Sequence, residues 1–158
     1  MIEFKKILWP TDFSKPSYEA LRTADNMALH FGAKLYLVHV VSNIPSLVAP
    51  RAPIAFDVPS YQKELDAEAV KKLSKIKKND LSEKVAAETV VRHGEASLLI
   101  VETAEEENID LIVLATHGLT GWRHLVFGSV AEKVVRNAKC PVLTIRPDQN
   151  DGKSGKSK

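Results

Sequence analysis

Ile109-Asp110-Leu111-Ile112-Val113-Leu114-Ala115 runs on through Thr116-His117-Gly118 to Gly128-Ser129-Val130-Ala131-Glu132, and the fold is read outward from this stretch. Its first part is too short and β-branched for a helix and too continuously apolar for a half-exposed strand. It predicts a central strand of a parallel sheet, covered on both faces. Downstream, Ser129 to Glu132 has the S-x-x-E form of a capping box, and Val130, Val134, Val135 and Ala138 make one helical stripe. A helix starting at Ser129 would present unpaired N–H groups and the positive end of a dipole to an anion, with Gly128 removing the Cβ that would keep it away. The same residues also fit a bare helix cap and turn, and strand-loop-helix grammar alone does not separate the two.

Outward from there, strands and helices alternate, which implies parallel strands joined by right-handed crossovers. Phe4 to Pro10, Ala33 to Val41, Val85 to Arg92, Ile109 to Thr116 and Val142 to Ile145 read as five strands. Ser14 caps a first helix that Pro16 enters early and Gly32 ends, with Ala20, Leu21, Ala24, Ala28 and Phe31 inward. A second helix spans about Ser60 to Asn79 on Leu65, Ala69, Leu73 and Ile76, and its five lysines between Lys71 and Lys78 read as a solvated face. A third covers Ser97 to Glu107 with Leu98, Val101 and Ala104 inward. Ser42 to Pro59, with four prolines, is a long loop of the kind kept for function or left mobile.

The chain's 158 residues, 44% hydrophobic and 27% charged, suit one soluble globular domain, expected over 1–147, followed by a disordered tail over 148–158. No apolar run approaches the roughly 20 residues of a membrane span and no signal-peptide core opens the chain, so the expected location is cytoplasmic, without a membrane partner. A net charge of +2, with surplus lysines in the tail, points away from nucleic acid. The lone Cys140, ahead of Pro141 at the start of a buried strand, is expected to be a small core residue.

Gly118, nine intervening residues, then Gly128-Ser129 resembles the closing part of the G-2X-G-9X-G-(S/T) nucleotide motif of the universal stress protein family. The resemblance extends through G-S-V-A-E-K-V-V-R (Gly128 to Arg136), C-P-V-L-T-I-R (Cys140 to Arg146), K-K-I-L-W-P-T-D-F-S (Lys5 to Ser14) and L-V-H-V (Leu37 to Val40), in the family's order. It implies a doubly wound α/β fold with five parallel strands in the order 3-2-1-4-5 and helices on both faces, of the adenine nucleotide alpha hydrolase-like kind. Ligands of such sheets bind at the carboxyl ends of the strands where the winding reverses, here between the first and fourth.

The resemblance implies ATP, AMP or ADP in that crevice, in the manner of the family's ATP-binding subgroup. Pro10, Thr11 and Asp12 would border it on one side, Val40 would offer backbone bonds to adenine, and Leu114 and Ala115 would flank the adenosine. Gly118, Gly128, Ser129 and the Val130 amide would hold phosphates, with magnesium or manganese bridging them. By their place in the intervening loop, Arg123 and His124 either reach the terminal phosphates or face solvent. By the residues alone, Asp12 either meets a ribose or adenine or caps the turn beside Ser14, and both readings stand open. The family's first motif glycine is Ala115 here. Its methyl is tolerated in extended backbone but crowds a ribose lying flat on the strand end.

No H-x-x-x-H, no G-x-S-x-G elbow and no S-G-G-x-D-S loop marks a catalyst, so no catalytic residue is assigned and hydrolysis is expected to be slow at most. The expected role is a nucleotide-responsive stress or signalling module. Its rival is a dimer of the same family that binds no nucleotide and acts through protein contacts. In either case Pro141 to Arg146 is expected to be an edge strand that pairs with its counterpart in a homodimer, because Val142, Leu143 and Ile145 are too apolar for an open edge.

Overall fold

The computed structural model describes residues 3–43, 58–117 and 127–146. The chain runs β1 (Lys6–Pro10), α1 (Lys15–Phe31), β2 (Lys34–Val41), α2 (Val58–Asn79), β3 (Ala87–His93), α3 (Ala96–Glu106), β4 (Leu111–Ala115), α4 (Ser129–Asn137) and β5 (Val142–Ile145). The strands form one sheet in the order β3-β2-β1-β4-β5, all parallel. The chain winds outward from β1 to β3 and then returns to the other side of β1. The reversal between β1 and β4 is the expected one.

Strand periodicity sorts the core into two layers. On one face Ile7, Trp9, Leu35, Leu37, Leu111 and Val113 meet Ala20, Leu21, Ala24 and Ala28 of α1 and Leu73 and Ile76 of α2. On the other, Leu8, Tyr36, Val38, Ile112 and Leu114 meet Ile100 and Ala104 of α3 and Ala131 and Val134 of α4. Even the polar edge of the fully buried Trp9 is satisfied, its indole N–H donating to the Ser17 carbonyl at 2.9 Å.

Element ends follow from competing bonds. β1 begins at Lys6 rather than Phe4, where the Asp110 carboxylate accepts the Lys5 and Lys6 amides at 2.8 Å each. β4 begins at Leu111 because the Ile109 amide is spent on the Ala104 carbonyl, closing α3 through Asn108 at φ 52. α1 is bounded as expected, with the Ser14 side chain accepting from the Ser17 amide and Gly32 at φ 64 ending it. Pro59 belongs to the first turn of α2, not to the preceding loop. The rest of that loop, residues 44–57, and the tail over 148–158 lie outside the described residues.

Several inward assignments are corrected. Leu98 is 55% exposed, because α3 buries Ser97, Ile100, Val101 and Ala104, and Leu98 lies about 100° round from Ser97. Val135 is exposed beside buried Val134 for the same reason, and Phe31 is partly exposed with its ring edge-on to Phe4. β5 is half-buried along its whole length, with β4 as its described partner, and Cys140 just before it is a free thiol, partly rather than fully buried and packed against the α3–α4 layer of the core. Partial burial pushes that thiol's pKa up.

Candidate functional site

At the carboxyl ends of β1, β2 and β4 the sheet opens into a cavity of about 360 Å³, within the range of small-molecule sites. Pro10, Thr11, Asp12, Val40, Leu114, Ala115, Gly128, Ser129 and Val130 all line it. Gly118, Arg123 and His124 lie outside the described residues. Thr116 and His117, within the Ala115 to Gly118 side expected of the crevice, line it too, and Ser17, Val38, His39, Ala96, Ile100 and Ala131 do so without having been anticipated there. Val38 was recoverable from Val40, since residues two apart on a strand share a face. Thr116 and His117 directly precede Gly118. The approach of Ala96 and Ile100 carries no local signal, because it depends on where α3 packs.

The apolar floor comes from the α3–α4 layer, in Val38, Ile100, Leu114 and Ala131. Two helix starts near the rim are closed by side chains, α1 by Ser14 and α3 by Glu95, whose carboxylate accepts from the Leu98 amide. α4 differs. Its N-cap is Gly128, in extended backbone at φ −74 and ψ 160, and no side chain caps it. Ser129 is therefore the first helical residue and not the cap, and the expected capping box does not form. Glu132 turns instead to Arg136 at 2.7 Å.

Gly128 also has a different task from the one expected. Its amide donates to the Thr116 carbonyl at 2.6 Å, so it is not a donor left over for an anion. A Cβ there would stand 3.3 Å from that same carbonyl and 3.8 Å from His117 Cα. The glycine allows α4 to start hard against the end of β4. The amides of Ser129, Val130 and Ala131, which no helical carbonyl can reach, are the donors at the rim.

On the opposite wall, hydroxyl directions follow from the bonds. Ser17 Oγ donates to the Ser14 carbonyl at 2.8 Å, so it accepts the Thr11 hydroxyl at 2.9 Å, while Thr11 Oγ1 accepts the Phe13 amide at 2.9 Å. Asp12 Oδ1 accepts the Ser14 amide at 3.0 Å, so the turn-capping role is real. His39 Nδ1 donates to the Thr11 carbonyl at 2.7 Å, and its ring lies 4.3 Å from that of Phe13. Burial pushes the His39 imidazole below its ordinary pKa and Lys72 adds to this, against the opposing pull of the Thr11 bond and Asp12. Thr116 Oγ1 and His117 Nδ1 are 2.9 Å apart. Among the described residues no cluster of three His, Cys, Asp or Glu side chains could hold a metal ion.

The model of the universal stress protein family matches residues 3–146. The chain belongs to the universal stress protein family. Universal stress protein MJ0531 of Methanocaldococcus jannaschii is 37% identical over 150 residues, covering 94% of this chain and 85% of that protein. Universal stress protein YxiE of Bacillus subtilis is 31% identical over 148 residues, covering 90% and 99%. The solved structure of MJ0577 superposes with a TM-score of 0.81 at 28% identity, over 93% of this chain and 99% of that one. A universal stress protein from Archaeoglobus fulgidus, solved in complex with dAMP, shares the fold at a TM-score of 0.58 and 24% identity, covering 91% and 98%. Among the described residues no helix of this family member is long and apolar enough to cross a membrane.

Proposed function

We propose that this universal stress protein binds an adenine nucleotide, ATP with magnesium or manganese, in the cavity between β1 and β4, and works in the cytoplasm as a nucleotide-responsive module. The observation that carries the reading is the start of α4, uncapped by any side chain and opening on a cavity of about 360 Å³. Its free amides and dipole suit a phosphate, the apolar floor suits a base, and Asp12 faces the ribose side. That a protein of the same fold has been solved with dAMP agrees with this at the level of architecture alone. The metal arrives on the phosphates and bridges them.

Binding rather than fast turnover fits the bonds already made. Asp12 is engaged by the Ser14 amide, His39 by the Thr11 carbonyl and His117 by Thr116, so each titratable group on the wall is tied to a neighbour. Calorimetry with ATP and magnesium tests the reading, with an expected affinity on the order of micromolar, about 8 kcal/mol. No heat and no thermal stabilisation well above that concentration overturns it. Mass spectrometry of the denatured supernatant then identifies any resident nucleotide.

One observation favours a second reading. Ala115, one of the lining residues, carries a methyl group where the family motif has glycine. If that methyl excludes a ribose, the protein is a dimer acting through protein contacts alone. A well-folded dimer that purifies without nucleotide and ignores added ATP is its signature.

A further inference from the structure

The loop between β1 and α1 carries a strained residue. Phe13 has φ 61, a left-handed backbone that a bulky side chain adopts only when its surroundings impose it. It directly follows Asp12, which lines the cavity, and precedes Ser14, which caps α1. Three contacts impose the conformation. The Phe13 amide donates to Thr11 Oγ1 at 2.9 Å, the Phe13 ring packs against that of His39 with planes 33° apart, and the Lys72 ammonium of α2 lies over the Phe13 ring, 5.1 Å from its centroid. His39 holds the loop twice, since its Nδ1–H also ties down the Thr11 carbonyl at 2.7 Å.

We propose that His39 is a positioning residue for the cavity: its bond to Thr11 and its stacking on Phe13 hold the turn in the strained form that presents Asp12 to the ligand. The bond requires the proton on Nδ1, so one tautomer is selected and the ring is oriented. His39 lines the cavity itself, and its positioning role acts through the turn that carries Asp12. As a consequence α2, through Lys72 over the Phe13 ring, is joined to the same turn.

Two variants separate the parts. His39→Asn places an amide N–H as many bonds from the backbone as Nδ1 and keeps the donor without the ring, while His39→Phe keeps a ring without the donor. The inference rests on the proposed nucleotide site for its binding readout, and amide exchange at Phe13 and Ser14 reads the turn without any ligand. In the full-length protein, His39→Phe is expected to speed exchange at both amides and weaken ATP about tenfold, the equivalent of one lost hydrogen bond. His39→Asn, which keeps the donor and loses the ring, is expected to restore both in part. The effects of His39→Phe and Asp12→Ala on ATP affinity are expected to be non-additive, which a merely stabilising His39 would not produce. Unchanged exchange in His39→Phe, or strictly additive losses, overturns the positioning role. If the parent protein binds no ATP, the nucleotide reading falls, and exchange at Phe13 and Ser14 alone decides the role of His39.

Discussion

The Gly128 amide donates to the Thr116 carbonyl at 2.6 Å, joining the first residue before α4 to the first residue after β4. The bond sets the angle at which α4 meets the sheet and turns the Ser129, Val130 and Ala131 amides to the cavity rim. It also explains the glycine without any appeal to backbone freedom, because φ −74 is open to every residue.

Gly128→Val is accordingly expected to damage both stability and ligand binding. Its Cβ, 3.3 Å from the Thr116 carbonyl, would push α4 from β4 at a cost of about 1–3 kcal/mol. Thermal unfolding and ATP calorimetry on the same preparation check this. Full stability with lost binding would mean that the glycine serves the ligand and not the packing.

Ser129→Ala is expected to leave stability within about 0.5 kcal/mol, since the exposed side chain caps nothing. ATP affinity should fall about fivefold if the hydroxyl meets phosphate, one hydrogen bond of about 1 kcal/mol. Denaturation that shows a larger stability loss would restore the capping role the structure withdraws.

Protonation of His39 gives stability a pH slope of known sign. Burial lowers its folded pKa below the ordinary value of about 6.5, so below that pH the unfolded chain takes up a proton that the native state resists. This contribution is fully present above about pH 6.5 and is lost as pH falls from there through the folded pKa. Urea unfolding between pH 7.5 and 5 should show a shallower slope in His39→Asn than in the parent. Equal slopes would assign the effect to other groups.

Leu73→Ala tests how α2 is held. Leu73 is fully buried between α2 and the sheet beside Ile76, and its truncation is expected to cost about 2–5 kcal/mol. Because the neighbouring Lys72 covers Phe13, exchange at the Phe13 amide should also rise. A loss below about 1 kcal/mol would mean the site collapses around the deletion.

Assembly through β5 is expected to survive removal of the residues beyond Asp148. Val142 to Ile145 are half-buried against β4, and an isologous pairing would cover the outer edges of two chains at once. Light scattering of the full and shortened chains decides it. A monomer in both at high micromolar concentration removes the dimer.

Alternation of apolar strands with amphipathic helices, the Ser14 and Gly32 boundaries of α1, and the spacing from Gly118 to Gly128 were legible in the residues because each is a local property of the chain. The doubly wound sheet and the crevice between β1 and β4 followed from them once the family resemblance was added, and nine of the anticipated site residues do line one cavity. What the tertiary structure alone decided is which partner each polar group takes. Ser129 has cap chemistry, yet Gly128 is the cap because its amide finds Thr116 across the sheet edge. His39 reads as one strand residue among eight, and its grip on Thr11 and Phe13 exists only because β2 lies beside β1. Ala96 and Ile100 reach the cavity through the packing of α3. Periodicity and caps act over a few residues, so the sequence determines them by itself, whereas hydrogen bonds between distant segments depend on ångström-scale placement that only the packed core supplies.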